Sequence, residues 1–264
     1  MRVVHSPRVR TEFLLGGAEW MSSFDQLTAD GTPERLLGGT PRVLDAGSRH
    51  TERWNLPVHG PGAPSSGLWL GRFGDQLFID PPTLSDRERH YGFQLSGTRR
   101  TTVTRDGETL LDTDSFGPTL LEVPPGPAGY RVAMDSAPGS ELSSRVSVAW
   151  TFRSDTTTGT GDELLPLTAV AFSPPVDDAG TARGGRLAVV PVRVERQAGW
   201  STDLRRLAVE VSYDDGVTWH RAPLAGRDAL VWHPRSGYVS LRATGADRDG
   251  NTVEQTILRA YRLR

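Results

Sequence analysis

The sequence predicts an all-β protein: two immunoglobulin-like or jelly-roll-like β-sandwich domains in tandem, behind an N-terminal β-rich segment. Three observations carry that prediction. Short runs of period-two hydrophobicity recur along the chain, each bounded by a cluster of Gly, Pro, Asp or Ser. Gly and Pro are abundant, at 29 and 19 residues, and the only weak helical candidates lie near Asp25 to Leu37. Finally, 264 residues suffice for two cores of roughly 100 residues each with some chain left over.

Taken in order, residues 1–61 hold one strand-like run from Val9 to Leu15 and then a Gly/Pro-punctuated stretch ending in ERWNLPVHGPGAPSSG, where a domain boundary is expected. Residues 62–153 read as a first sandwich, with strands in GLWLGRFGDQLFIDPP, HYGFQLSG, TRRTTVTRDGETLLDT, TLLEVPPGPAGYRVAMDS and SSRVSVAWTFRS. Residues 154–163, SDTTTGTGDE, contain no large apolar side chain to offset their ordering entropy. They are predicted to be a protease-sensitive linker whose cleavage leaves a folded C-terminal piece.

Residues 164–264 supply about seven strands, enough for a complete immunoglobulin-like sandwich. Leu207, Val209 and Val211 alternate with Ala208, Glu210 and Ser212 before Asp214-Asp215-Gly216 turns the chain. A second hairpin turns at Asp249-Gly250-Asn251, and its return strand is rich in Thr, Val and Ile. Pro191, which donates no ladder hydrogen bond, predicts an edge or a bulge in LAVVPVRV.

Composition narrows the function classes. A formal net charge of -2 leaves no excess of basic charge for phosphates, so nucleic acid is not an expected partner. All 30 basic residues are Arg, scattered rather than clustered, which fits the codon bias of a GC-rich genome. There is no Cys, hence no disulfide or thiolate chemistry. No stretch approaches the ~18 apolar residues of a membrane span. The opening MRVVHSPRVRTEFLLGG lacks the apolar core of a signal peptide, so residue 1 is not expected to be the start of the ancestral protein.

Residues 212–219, SYDDGVTW, match Ser-x-Asp-x-Gly-x-Thr-Trp and resemble the Asp-box hairpin of sialidase-like propellers. A propeller needs several copies and this chain has one, so Ser212, Asp214, Gly216, Thr218 and Trp219 are assigned a structural role. Trp219 is expected to lie buried against the strand of Val209 and Val211. Asp247, Asp249 and Asn251 have the opening spacing of a calcium loop, but Thr252 stands where Gly is needed and Leu258 where an acidic ligand is needed. They are read as a hairpin turn, as is Asp177 to Thr181. His5, His50, His59, His90, His220 and His233 lack metal-ligand spacing. Trp20, Trp54, Trp69, Trp150, Trp200, Trp219 and Trp232 are read first as core residues, with carbohydrate platforms as the rival. No catalytic, metal or cofactor residue is assigned.

The ordered series ERWNLPVHGP, HYGFQLSG with TVTRDGETL, LSSRVSVAWTFRS, LPLTAVAFSP, VEVSYDDGVTWHRAP and GYVSLRATGADRDGNTVEQTILRAY resembles the C-terminal region of secreted subtilisin-like serine peptidases from high-GC Gram-positive bacteria. The resemblance runs from about Glu52 to Tyr261. It implies an extracellular, non-catalytic accessory region whose partner is a subtilisin-like catalytic domain or a cell-wall or protein substrate. The triad motifs of that family are missing: Asp112-Thr113-Asp114, His59-Gly60-Pro61 and Ser96-Gly97-Thr98 lack the flanking pattern, so no catalytic residue is carried over. A carbohydrate-binding sandwich using exposed tryptophans is the alternative. A free-standing enzyme is the weakest reading.

Overall fold

A computed structural model describes residues 9–158, 163–197 and 204–264. His5, Trp200 and the middle of the 154–163 stretch, residues 159–162, lie outside the described residues. The N-terminal part forms β1 (Glu19–Trp20), β2 (Ser23–Leu27), β3 (Pro33–Gly38) and β4 (Arg42–Val43). Next come β5 (Leu70–Phe73), β6 (Gln76–Ile79), β7 (Tyr91–Gln94), β8 (Thr98–Arg105), β9 (Glu108–Thr113), β10 (Thr119–Glu122), β11 (Ala128–Ala137) and β12 (Arg145–Ser154). The last part holds β13 (Glu163–Leu164), β14 (Thr168–Phe172), β15 (Thr181–Ala182), β16 (Arg186–Arg196) and β17 (Arg206–Ser212). It ends with β18 (His220–Ala222), β19 (Leu224–Ala225), β20 (Asp228–His233), β21 (Gly237–Ala246) and β22 (Thr252–Leu263). Among the described residues there is no helix, and the fold class is all-β as the sequence predicts.

The strands sort into layers. A nine-stranded sheet runs β18-β17-β21-β22-β12-β11-β8-β9, with β15 added parallel to β22. Strict alternation gives it two unlike faces. Val103, Val132, Val148, Trp150, Leu241 and Ile257 point into one contiguous core. Most of their neighbours in sequence point to the other face and are partly exposed, with Ala149 and Ser240 buried as exceptions. The sheets β10-β6-β5-β13 and β14-β16-β20-β19 supply core residues against that same inner face, including Leu70, Leu77, Val170 and Val231. Two buried glutamines stitch the layers by imitating backbone. Gln255 of β22 accepts from Val170 N (2.9 Å) and donates to Val170 O (2.6 Å). Gln197 accepts from Trp69 N (2.7 Å) and Leu70 N (3.0 Å) and donates to Leu70 O (2.7 Å) and Leu165 O (3.0 Å).

The strands on either side of 154–163 pair with each other. β12 and β22 form a seven-pair antiparallel ladder from Arg145↔Leu258 to Thr151↔Thr252. The polar stretch therefore interrupts the sequence without dividing the sheet. Its first residues are tied down as well: Thr156 Oγ1 donates to Asp75 Oδ1 (2.7 Å) and Thr157 Oγ1 accepts from Gly74 N (2.6 Å). Asp75 in turn binds the buried Arg72, whose Nη1 donates to Tyr130 OH (3.0 Å).

Several local expectations are corrected. Residues 9–15 are not a strand; Phe13 is 97% exposed, because alternation makes a strand only where an edge and a second layer are on offer. The weak helical candidates near Asp25 to Leu37 are strands β2 and β3, and β3 pairs with β7. The Gly/Pro-rich stretch around residue 61 is buried rather than exposed, and Gly60 exchanges backbone hydrogen bonds with Ser85 (3.0 and 2.8 Å). A Cβ on Gly60 would come within 2.6 Å of Ile257 Cδ1, so a larger residue there requires the Ile257 side chain of β22 to shift. Pro191 sits where β16 changes partner, from β20 over Arg186 to Pro191 to β14 over Val192 to Arg196. The missing N–H falls between two ladders.

Candidate functional site

The five residues singled out in the hairpin between β17 and β18 are brought together. Ser212 Oγ donates to Asp214 Oδ1 (2.7 Å) and accepts from Gly216 N (2.8 Å). Asp214 accepts from the Thr218 hydroxyl (2.6 Å) and the Thr218 N–H (2.9 Å). These bonds, those of Thr218 foremost, hold the Asp214 carboxyl down to about 2. Asp215 and Gly216 take positive φ (56° and 88°), which turns the chain, and Arg259 clasps Asp215 through two hydrogen bonds (2.9 and 2.6 Å). The turn spends its polar groups on itself.

Trp219 is placed differently from the expectation. It is half-buried, its Nε1 donates to Gly216 O (2.9 Å), and the Arg242 guanidinium lies 4.4 Å from its ring centre. Arg242 is bound to Glu210 (2.8 Å) on the outer face of the sheet, opposite Val209 and Val211. The indole thus closes the hairpin from the solvent side.

The same device recurs in the other turns. Asp177 Oδ1 accepts from Ala179 N (3.1 Å) and Thr181 N (2.9 Å). Asp247 accepts from Asp249 N and Asn251 N (both 2.9 Å) and from Asn251 Nδ2 (2.8 Å), so this carboxylate and amide serve the hairpin. Among the described residues no group of three or more His, Asp or Glu is placed to hold a metal ion.

Asp86 and His90 come nearest to an acid–base pair, with His90 Nδ1 2.9 Å from Asp86 Oδ2. The carboxylate also accepts from Glu88 N (2.9 Å) and His90 N (3.0 Å), and the Trp54 indole stacks on the imidazole at 3.6 Å. Among the described residues no hydroxyl bonds the other ring nitrogen, the third member that a nucleophilic site requires. His59 is fully enclosed, and burial, with the charge of Arg35 second, pushes its imidazole well below the usual histidine range. Elsewhere, burial pushes the Asp80 carboxyl up to about 6 against the opposing pull of Arg99. Arg35 lies within electrostatic reach of both His59 and Asp86.

The two outward sheet faces differ in character. The large sheet presents a groove of about 710 Å³, edged by charged side chains and floored by short ones such as Thr102, Ala133, Ala149 and Thr256. Its charges are paired across strands, as in Arg131 with Glu254 (3.1 Å), Arg145 with Asp135 (2.9 Å) and Arg100 with Asp112 (2.5 Å). The small sheet differs. Of the six described tryptophans Trp150 is buried, Trp20, Trp54, Trp69 and Trp219 are half-buried, and only Trp232 on β20 is exposed, at 60%. Its cross-strand partner Leu187 is 52% exposed and Val189, the partner of Leu230, is 50% exposed. Sequence reasoning passed over this cluster, although LAVVPV and ALVW are apolar on both faces, which in a two-layer protein leaves one apolar face outside. Compared with protein-family models and with curated proteins, the chain matches none of them.

Proposed function

We propose that this chain is a non-catalytic accessory region of a secreted subtilisin-like serine peptidase, acting as a docking or substrate-holding platform. One observation carries the reading. Of the motifs after Leu142, where the resemblance is strongest, LSSRVSVAWTFRS, VEVSYDDGVTWHRAP and GYVSLRATGADRDGNTVEQTILRAY lie on β12, β17, β21 and β22, neighbours in the large sheet, and LPLTAVAFSP lies on β14 of a second sheet that packs against it. The reading agrees with turns whose carboxylates are occupied by their own backbone and with an Asp86–His90 pair shut in by an indole.

The genomic DNA upstream tests it. An in-frame Gly-Thr-Ser-Met-Ala segment is expected there, while an independent promoter and start codon immediately before residue 1 overturns the reading. At the protein level a fluorophosphonate probe should label no serine of the purified chain. Stoichiometric labelling of any serine makes the chain an enzyme in its own right.

A further inference from the structure

Two buried arginines are treated in opposite ways. Arg72, fully enclosed, donates to Gly74 O (2.6 Å), Tyr130 OH (3.0 Å) and Asp75 Oδ1 (2.9 Å). Arg99 of β8 is 6% exposed and sits on the inward face of the large sheet, yet it forms no hydrogen bond or ion pair among the described residues. A guanidinium withdrawn from water is costly unless something answers its charge.

Its neighbours share the condition. The β8–β11 ladder sets Ser136 directly opposite Arg99, and Thr101 is the next inward position on β8. Gln94, at the end of β7, has its amide nitrogen held by Ser96 O and by Thr98 O (3.1 Å), which leaves its side-chain oxygen beside the start of β8. Gln94, Thr101 and Ser136 are each 1% exposed or less. Among the described residues Gln94 Oε1, Arg99 Nε, Thr101 Oγ1 and Ser136 Oγ all lack a hydrogen-bond partner. Cross-strand neighbours stand ~5 Å apart and successive inward positions of a strand ~6–7 Å apart. A tetrahedral oxyanion with a hydrogen bond of ~2.9 Å at each end spans such gaps. Water satisfies hydroxyls and amides but leaves the charge of Arg99 unanswered.

Asp80, just past β6, is the charge that acts on Arg99, and Arg99 is the charge that acts on Asp80. The two form no ion pair among the described residues, and burial pushes the Asp80 carboxyl up to about 6. Once that carboxyl is neutral, Arg99 is left as the charged member of the cluster, beside hydroxyls able to donate. Gln94 Oε1 needs a donor in return, which an oxyanion carrying a proton supplies. Asp80 is half-buried, so the cluster reaches the surface on that side.

We infer that Arg99, Thr101, Ser136 and Gln94 form an internal site for inorganic phosphate in its protonated, singly charged form. Arg99 answers its charge, the Thr101 and Ser136 hydroxyls donate to its oxygens, and Gln94 Oε1 accepts from its hydroxyl. Ionised Asp80 competes for Arg99, so the site takes the anion best in acid. The inference goes beyond the peptidase reading and does not depend on it.

The test titrates inorganic phosphate into the full chain by calorimetry at about pH 5, with sodium chloride holding the ionic strength constant. One site per chain is expected, and sulfate, which has no proton to offer Gln94, should bind about ten-fold more weakly. Arg99→Gln should abolish binding, and Ser136→Ala should weaken it about ten-fold. At about pH 7, Asp80→Asn should bind phosphate about ten-fold more tightly than the parent, because the competing carboxylate is gone. At about pH 5 the two should agree within about two-fold. Circular dichroism checks the fold of each variant, and Asp80→Asn, which gains binding, still tests the site if Arg99→Gln does not fold. No binding in acid, unchanged binding in Arg99→Gln, sulfate as tight as phosphate, or equal affinity of the parent and Asp80→Asn near neutral pH overturns the inference.

Discussion

The two outward sheet faces were built by the same alternation and finished in opposite ways. On the large sheet each Arg of the groove meets an Asp or Glu one or two strands away, and the floor between them is Thr, Ser and Ala. On the small sheet the outward side chains of β16 and β20 form a strip of Leu, Val and Trp. The first face has its electrostatics satisfied within the chain. The second leaves Leu187, Val189 and Trp232 half or more exposed to water.

The largest effect that sharpens this contrast concerns two tryptophans. Trp150 is fully buried under the large sheet and its Nε1 donates to Thr168 O (2.6 Å), so Trp150→Ala should cost ~3–5 kcal/mol in urea unfolding. Trp232→Ala should change stability by less than ~0.5 kcal/mol. A comparable loss for both would mean that the strip belongs to the core, and the contrast would break. Next, Gln197→Leu should cost ~2–4 kcal/mol, because Trp69 N and Leu70 N are left buried without an acceptor.

Trp219→Ala should cost ~1–2 kcal/mol, below the range of a fully buried indole, since what it loses is partial burial and the contact with Arg242. A loss above ~3 kcal/mol would put the ring back in the core. Smallest is a pH effect. The Asp80 carboxyl is raised in the folded state, to about 6, so the native chain holds its proton more tightly than the unfolded chain does, and stability falls as pH rises from about 4 to about 6. Asp80→Asn should therefore be more stable than the parent at pH 7, by ~1 kcal/mol or less because the group is only half-buried, and should gain nothing at pH 4. A gain equal at both pH values rejects that origin.

The strands between residues 62 and 264 were legible because each alternates over several residues and is bounded by turn chemistry that acts locally. The Asp-centred turns were legible for the same reason: an Asp side chain reaches its own backbone two and four residues on, as at Asp177 and Asp247. What could not be read was decided by distant partners. Val9 to Leu15 alternate too, yet no edge receives them. The break at 154–163 is plain in composition, but the β12–β22 ladder that spans it joins residues roughly a hundred positions apart. The side on which Trp219 lies depended on Arg242, which sits on another strand. The strip at Leu187 and Trp232 did leave a local trace, an apolar run with no polar side, whose meaning depends on knowing that only two layers exist.

That long ladder also sets a timetable for synthesis. When β12 leaves the ribosome, its far edge faces β22, which is translated roughly a hundred residues later. At ~5–20 residues per second the wait is ~5–20 s. During that interval a ten-residue strand carrying Val146, Val148, Trp150 and Phe152 is paired on one side only, in a cell crowded with other nascent strands. Yield in a heterologous host should thus respond to translation speed over residues 155–251 and to chaperones that shield strand edges, more than to any substitution in the finished protein's surface.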